Sequence, residues 1–166
     1  MISRISIWAG EILGVMFLAW CVVTFCLQTV TVHGESMMPS YGDGDMVLIN
    51  KLEYRLHEPK RLDPVALELE NGTSTHYTVK RVIACPGETL QILDGEVYIN
   101  GEKTDCGFKE KILSAGLASY EIKLSENEYF VMGDNCNNSE DSRVANIGNI
   151  DRSRFLGKVT ATVKRK

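Results

Sequence analysis

The sequence predicts a single transmembrane helix at the N-terminus, followed by a mostly β domain of antiparallel sheets. Three observations carry this. An almost wholly apolar run opens the chain, from Ile5 to Leu27. The remainder breaks into short apolar or alternating segments of strand length. Turn dipeptides punctuate them: Asn71-Gly72, Asp94-Gly95 and Asn100-Gly101, the strongest short-range hairpin signals. The expected division is residues 1–28, a cytosolic stub with the anchor, and 29–166, an extracytoplasmic β-rich domain.

The apolar run holds 23 residues, with Glu11 its only charge. About 20 residues span a hydrocarbon core. A cleaved signal would carry only ~7–15 apolar residues and then a small-x-small site; here Gln28-Thr29-Val30 follows. A helix apolar all round fits poorly as the core helix of so small a domain. Arg4 and the amino terminus flank the first end, and no Lys or Arg follows the second until Lys51. The positive-inside rule places the N-terminus in the cytosol and the rest outside. Trp8 and Trp20 lie toward the two interfaces, where such rings are favoured. Ser36 is nine residues beyond Leu27, at most about 30 Å of extended chain, with no flexible linker between. Ser36 is therefore expected near the outer membrane surface. The phospholipid bilayer is an expected partner, and Met37, Met38 and Tyr41 can face lipid, a pocket or the core.

The strands follow in order. Val30 to His33 alternates, breaks at Gly34, and leads to Ser36 and the rigid Pro39. A serine between a strand and a proline turn is presented rather than packed. Gly42-Asp43-Gly44-Asp45 is turn chemistry, and Met46–Lys51 reads as a buried strand. Arg55–Arg61, polar and with Pro59, reads as a loop. Val65–Glu70 alternates, turns at Asn71-Gly72, and returns as a long strand from Thr73 to about Ala84. Thr89–Leu93 and Glu96–Ile99 form a second hairpin about Asp94-Gly95. Residues 103–118 are irregular or a short helix. Tyr120–Leu124 and Glu128–Met132 resemble a further strand pair. Gly133–Arg143 is too rich in turn formers for regular structure, and Arg154–Val163 supplies the last strand.

Composition narrows the function. The 166 residues carry 18 Lys+Arg against 22 Asp+Glu, a net charge of -4, which argues against a nucleic-acid partner. Of five cysteines, Cys21 and Cys26 lie in the apolar run. Cys85, Cys106 and Cys136 allow at most one bridge, and their redox state is open. No Cys-x-x-Cys exists and the three histidines are scattered, so neither a structural zinc nor any other metal or cofactor is expected. The Gly133–Arg143 loop lacks the Glu that an EF-hand requires.

A serine nucleophile needs a base. His33 sits three residues from Ser36 on the same extended run, an awkward approach. His57 lies in the polar loop, and His76 has no acidic orienter close in sequence. Lys80 is the better candidate. Alternation places Thr78, Lys80 and Val82 on one face of the returning strand, and Val79, Arg81 and Ile83 on the other. A free lysine titrates near 10.4 and cannot accept a proton at neutral pH. Desolvation disfavours the charged form and lowers that value by as much as ~3–5 in full burial.

Four stretches occur in order after the anchor: Gly34-Glu35-Ser36-Met37-Met38-Pro39-Ser40; Gly44–Lys51; Val79-Lys80-Arg81-Val82-Ile83 through Pro86-Gly87-Glu88; and Gly133-Asp134-Asn135 through Ser139-x-Asp141-Ser142-Arg143. Together they resemble bacterial type I signal peptidase, in the short single-anchor form of Gram-positive bacteria. The resemblance implies a membrane-bound serine endopeptidase of signal-peptidase-like fold, cutting signal peptides from secretory preproteins after small residues. It makes Ser36 the nucleophile and Lys80 the general base. Ser139 orients the lysine, and Asp141 with Arg143 forms a supporting ion pair. The strands Thr29–Gly34 and Tyr77–Lys80 would flank an extended substrate, with Val32, Gly34, Met37 and Val79 as substrate-binding candidates. The secretion translocon is a further implied partner. Two positions depart from the pattern. Many relatives carry a serine as second oxyanion donor where this chain has Gly34, and Cys136 replaces a common arginine. A peptidase-like assembly factor for surface proteins or pili is the alternative function. A self-cleaving Ser-Lys repressor would lack the anchor, and a penicillin-recognising enzyme would need Lys where Pro39 stands.

Overall fold

The structure is a computed structural model that describes residues 2–71 and 74–164. Its first element is α1 (Ile2–Cys26), with Trp8–Cys26 apolar enough to cross a membrane at a mean hydropathy of 1.9. The chain passes from α1 directly into β1 (Leu27–Thr31), without a linker. There follow β2 (Met46–Asn50), the one-turn helix α2 (Glu53–Leu56), β3 (Pro64–Asn71) and β4 (Ser74–Ala84). Then come β5 (Thr89–Leu93), β6 (Glu96–Ile99), β7 (Glu102–Lys103) and β8 (Ile122–Lys123). The last strands are β9 (Glu128–Met132), β10 (Ile150–Asp151) and β11 (Phe155–Lys164).

All pairings are antiparallel and build two sheets. A seven-stranded sheet runs β1-β2-β11-β3-β4-β9-β10, and a four-stranded sheet runs β7-β6-β5-β8. The hairpin signals act where expected. Asp94 and Gly95 (φ 50° and 79°), like Asn100 and Gly101 (51° and 81°), take the left-handed conformation that two-residue turns demand. The β3–β4 pair closes at Asn71↔Ser74; Gly72 of its turn lies outside the described residues. One expectation is corrected. Residues 120–124 and 128–132 do not pair with each other: β8 joins β5, and β9 joins β4. The 55–61 stretch also begins inside a helical turn, short enough to leave no periodic signal.

Alternation divides the core. On one face of the large sheet Val65, Leu67, Val82, Tyr129, Val131 and Phe155 pack together with Tyr54 from α2. On the other, Val47, Ile49, Ala66, Val79 and Val159 pack with Val32 and Met37. The small sheet buries Leu90, Ile92, Val97 and Ile99 against Ile83, Phe130 and Met132 at the end of the large one. Gly157 sits at a bulge in β11, where a Cβ would meet Ile49 Cγ2 at 2.8 Å and crowd the Asn50 backbone. A side chain there would push β11 off β2.

Candidate active site

The turn bearing Ser36 grows out of β1. The strand ends at Thr31, but Val32 N–H donates to Asp45 O at 2.8 Å and Gly44 N–H donates to Val32 O at 2.9 Å. Gly34 then takes φ +80°, a conformation only glycine adopts without strain. Its N–H donates to Asp43 Oδ1 at 2.9 Å. Met38 N–H donates to Glu35 O and Tyr41 N–H to Met37 O, folding residues 35–41 into successive turns. Met37, fully buried, plugs this segment into the core. Ser36 is left half-buried at the surface.

Lys80 arrives from β4, paired with Val65. It is 5 % exposed, and its Nζ donates to Ser139 Oγ at 3.1 Å. No carboxylate forms an ion pair with it among the described residues. Burial holds the Lys80 pKa below the usual lysine value; the Asp141 charge is the main opposing influence, Arg143 adds to the lowering, and Glu140 opposes it least. Ser36 and Lys80 share the wall of one open groove of 390 Å³ with His33, Gly34, Asn138 and Glu140. Along this groove β4 has a free edge: β9 pairs with it only from Arg81 onward.

The Gly133–Arg143 loop holds the two halves together. Asp141, completely buried, grips Arg143 through Nε–Oδ1 and Nη2–Oδ2 contacts of 2.8 Å each. The guanidinium also donates to the carbonyls of Cys136 and Ser114. Asp141 Oδ2 accepts from Gly133 N–H at 3.1 Å. Gly133 is where the loop, Ser36 and Ser139 meet: a Cβ there would clash with the Ser36 carbonyl oxygen and the Ser139 hydroxyl. Asn135 N–H donates to Ser36 O at 3.0 Å, and its amide donates to Glu35 O at 3.2 Å.

The structure thus brings Ser36, Gly34, Lys80 and Ser139 to one place, with Asp141 and Arg143 bound behind them. Three substrate-binding candidates lie elsewhere. Val32, Met37 and Val79 are at most 4 % exposed and fill the core cluster; alternation from Lys80 turns Val79 inward, and the successive turns of residues 35–41 carry Met37 into the core. The groove's apolar wall comes instead from Leu69 and Ile147. Gly34 supplies no second oxyanion hydroxyl, and its N–H is engaged by Asp43. Sequence reasoning missed a bidentate pair beside the site: Arg81 meets Asp134 through two contacts of 2.6 Å, and also reaches Leu62 O and Ser40 Oγ. It ties β4 to the loop and to the turn after Ser36. The placement of Arg81 opposite Lys80, facing a Gly-Asp-Asn loop, was the available signal.

The family described as signal peptidase, peptidase S26, matches residues 5–164. Signal peptidase I of Bacillus amyloliquefaciens is 35% identical over 149 residues, covering 85% of this chain and 78% of the relative. Signal peptidase I T of Bacillus subtilis (strain 168) is 36% identical over 162 residues, covering 90% and 80%. A crystal structure of a signal peptidase I from Enterococcus faecalis V583 superposes with a TM-score of 0.51 at 27% identity, covering 63% of this chain and 98% of that one. With a buried lysine and a presented serine in one groove, and matches along nearly its whole length, the chain belongs to the signal peptidase family, peptidase S26, and is a serine peptidase.

Proposed function

We propose that the protein removes signal peptides from exported preproteins by a Ser36–Lys80 dyad, on the extracytoplasmic face of the membrane that α1 spans. The observation that carries this is Lys80. It is buried, forms no ion pair among the described residues, and lines the groove of Ser36, so burial lowers its pKa and makes the neutral form easier to reach than for an ordinary lysine. Neutral Lys80 takes the proton of Ser36 Oγ as that oxygen attacks the scissile carbonyl carbon. The Ser36 N–H stabilises the oxyanion. Collapse breaks the C–N bond, and the ammonium of Lys80 returns its proton to the leaving amine. Lys80 then takes a proton from water as its oxygen attacks the acyl ester, and returns that proton to Ser36 Oγ as the C–Oγ bond breaks, freeing Ser36 and restoring neutral Lys80. Ser139 holds the Nζ in place.

The free edge of β4 at residues 77–80 supports the substrate geometry. An extended segment can pair with it by strand addition, crossing the groove with its carbonyl at Ser36. Small residues before the cut suit a groove whose floor is buried core. Preproteins, the bilayer and the translocon that delivers the preproteins are the partners of this reading, with the N-terminus cytosolic. The test is cleavage of a panel of precursors by the reconstituted protein, with cut sites mapped by mass spectrometry. Cuts after Ala-x-Ala-like sequences, lost in Ser36→Ala and Lys80→Ala, are expected. Full cleavage by either folded variant would sink the dyad.

A further inference from the structure

The turn after β2 is built onto the end of α1. The Lys51 N–H donates to the carbonyl of Cys26, the last residue of α1, at 2.8 Å. Leu27 faces Asn50 in the first rung of the β1–β2 ladder. Helix α2 follows at once, and its Tyr54 is buried, donating its hydroxyl proton to Asp63 Oδ2 at 3.1 Å. At roughly 100° per residue, Leu52 and Leu56 point away from Tyr54 and share one face. They are 39 % and 67 % exposed. Lys51 and Arg55, also one turn apart, flank them and form no ion pair among the described residues. The nearby carboxylates are engaged: Glu53 lies 3.7 Å from His57 Nδ1, and Glu58 pairs with Arg152 at 3.1 Å.

Single exposed leucines need no explanation, and Leu113 and Tyr120 are more exposed still. Leu52 and Leu56 differ in position. They form one apolar face, beside two unpaired cations, against the end of an apolar helix. We propose that α2 and the turn before it are a second, interfacial membrane contact. Leu52 and Leu56 enter the boundary between headgroups and acyl chains, and Lys51 and Arg55 lie against anionic lipid phosphates. The proposal rests on the reading of α1 as a membrane span. One helical turn would not hold a protein to a bilayer alone, since interfacial binding scales with buried apolar area. Beside a span it has only to fix the tilt of the domain. The β1–β2 ladder runs about 14 Å from this base to Thr31↔Met46, where the Ser36 segment begins. Fixing the base therefore fixes where Ser36 stands above the lipid.

The test uses the full chain in vesicles of phosphatidylcholine, with or without phosphatidylglycerol, doped with lipid brominated near the top of the acyl chain. In a Trp8→Phe, Trp20→Phe background, a tryptophan is placed in turn by Leu56→Trp, Leu113→Trp and Phe17→Trp. Bromine quenching of Leu56→Trp is expected to be about twofold stronger than that of Leu113→Trp. It should rise with phosphatidylglycerol, and Lys51→Gln with Arg55→Gln should abolish that rise. Equal quenching of Leu56→Trp and Leu113→Trp, with Phe17→Trp strongly quenched, would overturn the docking contact and leave the span intact. An unquenched Phe17→Trp would overturn the span and the contact together. Quenching of Leu56→Trp indifferent to phosphatidylglycerol would overturn the role given to Lys51 and Arg55.

Discussion

Two basic side chains are buried behind the same loop, and their surroundings differ in kind. Arg143 is 7 % exposed and Lys80 is 5 % exposed. Arg143 has a carboxylate in bidentate contact and two carbonyls besides. Its permanent charge is fully met, and it serves as a strut. Lys80 has one neutral hydroxyl as its hydrogen-bond partner, and burial outweighs the opposing Asp141 charge and lowers its pKa. The same depth holds a fixed cation in one case and, on the proposed mechanism, a proton acceptor in the other, according to where one carboxylate is placed. Asp141 could have served either. It is spent on Arg143 and on the Gly133 N–H, which leaves the lysine free to titrate.

The contrast can be broken at each end. The largest effect is expected from Lys80→Arg, which puts a permanent cation where the lysine titrates. Cleavage should fall by about 10⁴-fold or more, as when the base of a serine protease is removed; retained turnover in a precursor assay would show that no neutral base is needed there. Next is Arg143→Met. It strands the Asp141 charge in the interior and should lower stability by roughly 3–5 kcal/mol, measured by denaturant unfolding, with activity falling alongside. Asp141→Asn in the same chain should recover part of that stability, because the stranded charge is gone. Ser139→Ala removes the hydroxyl that holds Lys80. A loss of about 1.5–3 kcal/mol, roughly 10- to 100-fold in kcat/KM, is expected, with folding unchanged.

The smallest effects are in pH dependence. The folded Lys80 pKa lies below its unfolded value, so between the two the unfolded chain binds more protons. Stability then rises with pH from the folded Lys80 pKa up to about 10.4. Lys80→Met should flatten that rise and raise Tm at neutral pH, by roughly 2–4 °C per kcal/mol relieved. In the parent chain kcat/KM should climb as Lys80 loses its proton, below the usual lysine range. A profile flat from neutral to alkaline pH, with chemistry rate-limiting, would remove Lys80 from the role of base.

Much of the architecture was legible in local signals. The Asp94-Gly95 and Asn100-Gly101 turns set their hairpins through backbone conformation alone, and strand alternation placed Lys80 and Arg81 on opposite faces. What escaped was non-local. Nothing in residues 120–132 says that β8 belongs to the small sheet and β9 to the large one, because that choice depends on packing with strands distant in sequence. The Arg81–Asp134 pair, 53 residues apart, is hidden for the same reason. Val32, Met37 and Val79 illustrate a different limit. Val79 neighbours Lys80 in β4, and in a strand the neighbour of a groove-facing residue faces the core; Val32 and Met37 lie outside the strands, and their burial comes from tertiary packing that no local pattern encodes.

The direct passage from Cys26 to Leu27 has a consequence for how such an enzyme would find its substrate. A catalytic domain on a flexible leash samples a volume, and its encounter rate depends on leash length. Here the first strand is the continuation of the helix, braced by the Lys51–Cys26 hydrogen bond. Anchored as proposed, the groove would travel at one height, and its search would be confined to two dimensions. Only peptides held in that same plane would come within its reach, so the geometry of the anchor would reject most polypeptides before the groove touches them.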